Sequence, residues 1–114
     1  MNPTKDPLQF VLDALAPMPD DPTQTTAADV RRLEAVHEEL GKFTVVHRAD
    51  WADLANRVNA GAGDGDGYHR ARHELAQLDV IGERATAAMR RLERYTRAAL
   101  AARGTNLADL LGDD

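Results

Sequence analysis

Apolar residues recur at intervals of three and four along four separate stretches of this chain. Leu8, Val11, Leu12 and Leu15 stand at i, i+3, i+4 and i+7, the stripe of an amphipathic helix. Asp6 is a natural N-cap before it and Pro7 suits the first helical position, while Pro17 and Pro19 end it. A helix of roughly ten residues is marginal alone in water, so its leucine face has to dock on something. After a Pro-rich polar linker over 17–25, Thr25 or Thr26 caps the next helix, with Asp29 in its first turn. From there Val30, Leu33, Val36, Leu40, Phe43, His47, Trp51, Leu54 and Val58 form one seam, predicting a helix of about 33 residues and roughly 50 Å. Gly41 and the β-prone Phe43-Thr44-Val45-Val46 argue for a break, but the seam keeps its phase through them. A continuous or kinked helix is the expectation.

Four glycines within residues 60–67 mark a turn. A second long seam follows: Ala71, Leu75, Leu78, Ile81, Ala85, Met89, Leu92, Tyr95, Ala99 and Ala102, closed by Arg103 and a C′ glycine, Gly104. Asn106 can cap a last short turn carrying Leu107, Leu110 and Leu111. The prediction is one all-α domain over 1–114: a short docking helix in 1–16, a linker over 17–25, an antiparallel long-helix hairpin over 26–103 and a short C-terminal helix with acidic tail over 104–114. Folding at the glycine loop sets Val58 near Tyr68, Trp51 on Leu75, Phe43 on Ala85 and Leu40 on Ala88 or Met89, so that large residues oppose small ones. The expected hairpin core is Leu33, Val36, Leu40, Phe43, His47, Trp51, Leu54, Leu75, Leu78, Ile81, Met89, Leu92 and Tyr95.

Composition adjusts this picture in a few places. Of the 114 residues 43% are hydrophobic but only 4% aromatic, so alanine supplies much of the apolar surface and burial per residue is thin. There is no cysteine, and no apolar run reaches the eighteen or so residues that cross a bilayer. The stretch Met1–Asp6 has no basic region, so a cytoplasmic protein is expected. Twelve arginines against two lysines suit a GC-rich genome, that of an actinobacterium or of a virus infecting one, in which case the location would be the virion. The net charge of −5 is uneven: residues 1–67 carry twelve acids and six bases, residues 68–103 eight arginines and four acids. In the hairpin register Glu34, Glu38 and Glu39 approach Arg90, Arg91 and Arg94, so this asymmetry is expected to be neutralised internally.

Candidate chemistry is sparse. His69 and His73 have the i, i+4 spacing of a metal pair, but the facing helix offers Leu54 and Val58 rather than a third ligand. Asp64-Gly-Asp66-Gly fails the calcium-loop pattern at positions 5, 6 and 12. His47 on the seam reads as a hydrogen-bonded core residue, a register-setting group or a pH switch. The arginine row Arg84, Arg90, Arg91, Arg94, Arg97 and Arg103 is the sole candidate nucleic-acid surface, with Arg90, Arg91, Arg94 and Arg97 its centre. Interleaved Glu83 and Glu93 and the overall acidity oppose that use. The chain has no serine, no cysteine, no phosphate-cradling glycine loop and no His-Glu-x-x-His, so no catalytic, metal or cofactor site is expected.

The two terminal leucine faces, Leu8, Val11, Leu12 and Leu15, and Leu107, Leu110 and Leu111, are the expected partner-docking elements, in the helix-in-groove mode. The alternative is that they close the core of their own chain. A helical hairpin of this size resembles in outline the small secreted hairpin proteins of actinobacteria that carry Trp-x-Gly in the turn. Here the turn is Gly61-Ala62-Gly63-Asp64-Gly65, Trp51 stands within a helix and no tyrosine-plus-acid export signal follows the second helix, so no assignment is made. The function expected is that of a non-enzymatic helical interaction or assembly component, a homo-oligomer or part of a larger assembly, in keeping with a small bacteriophage protein. The alternative is a regulatory or antitoxin-like adaptor that sets the arginine row against nucleic acid or an acidic partner.

Overall fold

The protein is described by a computed structural model over residues 6–60 and 65–111, the side chains of Asp66 and Leu111 apart. It is all-α, an antiparallel hairpin of two long helices with short helices at its ends. Helix α1 spans Pro7–Leu15, a single 3-10 turn spans Pro22–Gln24, α2 spans Ala27–Ala60, α3 spans Gly65–Ala101 and α4 spans Leu107–Leu111.

Local chemistry sets nearly every boundary. The Asp6 carboxylate accepts the Gln9 amide at 3.1 Å, and Pro7 fills the first helical position. Thr26 and Asp29 form a reciprocal cap: the Thr26 amide donates to Asp29 Oδ2 at 2.9 Å and the Asp29 amide to Thr26 Oγ1 at 3.2 Å. At the end of α3, Gly104 takes φ +74°. The Thr105 and Gly104 amides then return to the Leu100 and Ala101 carbonyls at 3.0 and 3.1 Å, satisfying orphan acceptors of the last turn. Asn106 caps α4 through the Asp109 amide at 2.9 Å. The glycine loop is shorter than its composition predicts, because Gly65–Gly67 belong to the first turn of α3. That turn's amides have no intrahelical acceptors, so glycine costs least there. Residues 61–64 of the expected turn lie outside the described residues.

Helix α2 runs unbroken through Gly41. Burial of the seam on either side, with Leu40 at 0% and Phe43 at 8% exposure, outweighs the local β preference. A Cβ built on Gly41 meets nothing within 4 Å, whereas one on Gly82 would lie 3.0 Å from the His47 ring. Gly41→Ala is therefore expected to raise stability by about 0.5–1 kcal/mol, the ordinary gain of alanine over glycine in a helix. Gly82→Ala should forfeit that gain by displacing His47. Urea denaturation of the two variants, read by circular dichroism, checks the contrast; equal shifts would contradict it.

Across the hairpin, His37 meets Thr96, His47 meets Leu78 and Gly82, and Phe43 lies beside Ala85 and Met89, close to the register the seams predict. Two expectations need correction. Trp51 is not a core residue: it is 41% exposed and its indole N–H donates to Asp79 Oδ1 at 2.7 Å. At that level a single facing helix cannot cover so large a ring. The Glu34, Glu38 and Glu39 pairings with Arg90, Arg91 and Arg94 do not form among the described residues. The three glutamates are exposed, and Glu38 and Glu39 reach Lys42 on their own helix at 3.5 and 3.6 Å. A neighbour one turn away is closer than an arginine across the interface.

The N-terminal leucine face is also not a free docking arm. Helix α1 lies on α3, with Val11 fully buried, Phe10 9% exposed, and Leu8 and Leu15 packed against the same core. Asp6 contacts Arg84, Pro19 contacts Tyr95 and Thr25 contacts Arg103, at sequence separations of 78, 76 and 78. So constant an offset means that residues 6–25 run parallel to α3 along its last five or so turns. They bring apolar surface that the alanine-rich hairpin lacks. One end of the molecule is thus a three-layered base whose core is Phe10, Val11, Met18, Leu33, Leu40, Phe43, Ala88, Leu92 and Ala99. The rest of the 56 × 30 × 18 Å particle is a two-helix arm.

Candidate interaction surface

The arm comprises the part of α2 beyond Phe43 and the part of α3 before Arg84, the point at which Asp6 brings in the third strand of chain. With only one helix–helix interface, its seam is half covered: Leu54, Val58, Leu75 and Leu78 are partly exposed, as is Tyr68. Four large apolar side chains are open to solvent, Val45 at 69%, Val46 at 58%, Val80 at 57% and Trp51 at 41%. Valine at such exposure gives up roughly 1 kcal/mol that a covering partner would recover.

The arm is nevertheless well fixed internally. The His47 ring stacks on Phe43, centroids 5.8 Å apart and planes at 28°, and its Cε1 edge fills the space beside Gly82 that a side chain there would need. Its Nε2 is 2.7 Å from the Leu78 carbonyl, which can only accept, so the proton sits on Nε2. Among the readings open for His47, that of a hydrogen-bonded register lock is the one this geometry describes. Trp51 is held by Asp79 in the same way. The two side chains border adjoining open hollows of about 430 and 510 Å³ along the α2–α3 junction, with Arg48, Thr86 and Glu83 at the margins.

The other sequence-predicted residues are scattered. Leu12, Leu107 and Leu110 are half-buried, and the side chain of Leu111 lies outside the described residues. Of the expected core, Leu33, Leu40, Phe43 and Leu92 are buried; Val36, His47, Leu54, Leu75, Leu78, Ile81, Met89 and Tyr95 are partly so. His69 and His73 are exposed on α3, and no three metal-ligating side chains cluster among the described residues. The arginine row is divided in use. Arg84 makes a bidentate pair with Asp6 at 2.9 and 3.0 Å, which holds the Asp6 carboxyl below the usual range. Arg97 pairs with Glu93 at 3.6 Å and Arg103 donates to the Thr25 carbonyl at 2.7 Å. Arg90, Arg91 and Arg94 make no ion pair among the described residues.

Sequence reasoning missed the contacts that assemble the base. Tyr95 donates its hydroxyl to the Pro19 carbonyl at 2.6 Å, and His37 meets Thr96 at 2.9 Å inside the core. Only part of the signal for the second was present: His37 and Thr96 both border apolar seams, but the predicted register sets His37 opposite Arg91 or Leu92, about one turn short of Thr96. Nothing in the pattern marks a proline carbonyl as an acceptor. No described helix is long and apolar enough to cross a membrane. Comparison of the chain with protein-family models, with curated proteins and with solved structures finds no match.

Proposed function

We propose that this protein is a non-enzymatic helical assembly component, in which the two-helix arm pairs with the arm of a second copy while the three-layered base keeps the hairpin folded. The observation that carries this reading is the mismatch between the two ends. The base buries Leu33, Leu40, Leu92 and Leu100 completely, whereas the arm leaves Trp51, Val45, Val46 and Val80 open and its seam half covered. A rigid, half-desolvated tryptophan held by one hydrogen bond is the kind of anchor that dominates protein interfaces. Two such arms together would form the helix bundle that each lacks alone. A small assembly protein of a bacteriophage or of its GC-rich host is the setting this reading favours.

Trp51 is the chain's one tryptophan and so reports directly on the arm. Light scattering behind size exclusion, at low and high salt, is expected to give a defined oligomer at both. Raising the concentration should shift Trp51 emission to shorter wavelength. Val46→Asp with Val80→Asp, both at exposed positions, should return the protein to monomer with unchanged helicity. A monomer at every concentration, with constant Trp51 emission, would overturn the proposal.

A further inference from the structure

A second surface lies at the opposite end of the molecule, in the cleft where the linker after α1 runs along α3. It has a volume of about 450 Å³, and its apolar lining includes Leu12, Leu15, Met18 and Tyr95. It is built rather than incidental. Met18 is 5% exposed, the Tyr95 hydroxyl is spent on the Pro19 carbonyl at 2.6 Å, and beyond it the linker turns on the Thr23 amide and hydroxyl, which donate to Asp21 Oδ1 at 3.0 and 2.7 Å. With its hydroxyl engaged, the Tyr95 ring presents an apolar wall. Arg91 and Arg94, one turn apart on α3, also line the cleft, both exposed and neither in an ion pair among the described residues. Asp20 is the one carboxylate in the lining.

From this juxtaposition we infer that the cleft binds an acidic amphipathic segment of a partner protein, seating one leucine- or phenylalanine-sized side chain against Leu12, Leu15, Met18 and Tyr95 while flanking Asp or Glu carboxylates engage Arg91 and Arg94. The charge complementarity sets the sign of the partner, and planar guanidinium groups suit carboxylates. The apolar lining selects a peptide over a phosphate backbone. A nucleic acid would use the arginines but leave the leucine and methionine surface without a partner. The inference does not depend on the arm, since none of the cleft's lining residues belongs to it.

Selection of a random 16-residue peptide display library on the full chain tests this. Enriched peptides are expected to carry Leu or Phe flanked by Asp and Glu, and synthetic copies should bind in fluorescence anisotropy. Arg91→Gln with Arg94→Gln, both at exposed positions, should keep the helicity and weaken binding about tenfold or more, the loss of two charge-assisted contacts. Asp20→Asn should tighten it, and Trp51→Ala should leave it unchanged. No enrichment, enriched peptides without acids, or indifference to the arginine variant would each overturn the proposal. A 20-base-pair duplex that binds more tightly than the peptides and depends on the same arginines would overturn it in favour of nucleic acid.

Discussion

Deletion of residues 1–16 is expected to destroy the cooperative fold rather than merely to remove a binding arm. The segment carries Val11 at 0% and Phe10 at 9% exposure, a buried Pro7, and the half-buried Leu8, Leu12 and Leu15. Full burial of a residue of this kind is worth about 1.5–3 kcal/mol, so the segment's loss removes of the order of 5–8 kcal/mol. A domain's whole stability is only about 5–15 kcal/mol. The deletion also uncovers Ala88, Leu92 and Ala99, which share the core with α1. The Asp6–Arg84 pair goes too, but both partners are about 40% exposed, so that loss is minor. Thermal unfolding followed by circular dichroism should show a broad, low-temperature loss of signal in place of a sharp transition, with strong binding of a hydrophobic dye. A truncated chain that melts at the same temperature as the full one would contradict the packing of α1. Val11→Asp is the point-mutant equivalent, burying a charge where no partner awaits it.

The hairpin was legible because its information is local and periodic. Three- and four-residue spacing places both seams, Asp6-Pro7, Thr26 with Asp29, Gly104 and Asn106 mark the ends, and the glycine run requires the reversal. What periodicity cannot encode is which of two faces a short amphipathic helix will cover. Leu8, Val11, Leu12 and Leu15 read equally as a docking arm or a core layer, and the choice rests on the path of the linker, fixed by hydrogen bonds to the carbonyls of Pro19 and Thr25. Trp51 failed for a related reason. Seam position predicts the direction of a side chain, but exposure depends on how many neighbours that level of the bundle has, and the third layer stops short of it. The charge pairing failed because net charge by segment ignores the helix face. Glu38 and Glu39 have Lys42 within one turn, which no helix across the hairpin can better. The cleft beside Arg91 and Arg94 was invisible for the same reason as the placement of α1, since one wall of it is the linker residues Met18, Pro19, Asp20 and Pro22.

Thr96→Val is expected to cost more than His37→Leu, and the double variant less than Thr96→Val alone. The Thr96 hydroxyl lies 2.8 Å from the Leu92 carbonyl and 2.9 Å from His37 Nε2. It has one proton, and two bare acceptors at 2.8 Å would repel, so that proton goes to Leu92 and His37 Nε2–H donates to Thr96. Valine in place of Thr96 leaves the imidazole N–H without an acceptor in the core, at about 1–3 kcal/mol. Leucine in place of His37 leaves the Thr96 hydroxyl its bond to Leu92, and with both polar partners gone no orphan remains. Urea denaturation of the four proteins gives the coupling directly; equal and additive losses would contradict the assigned proton positions. The same pair makes stability depend on pH. Burial holds the His37 pKa below its ordinary 6.5, with the charge of Glu93 opposing the shift in part. As pH falls through 6.5 the unfolded chain takes up a proton that the folded imidazole still refuses, so stability is lost below that pH and levels off once the folded ring is protonated. The slope is at most about 1.4 kcal/mol per pH unit for one such group. Asp6, Asp21 and Asp29, all held below 3.8, give up their contributions only as pH falls through that lower value, so the two windows are separable. His37→Leu should flatten the decline between pH 6.5 and 5 while leaving the acid limb in place, and an unchanged decline in that variant would assign it to another group.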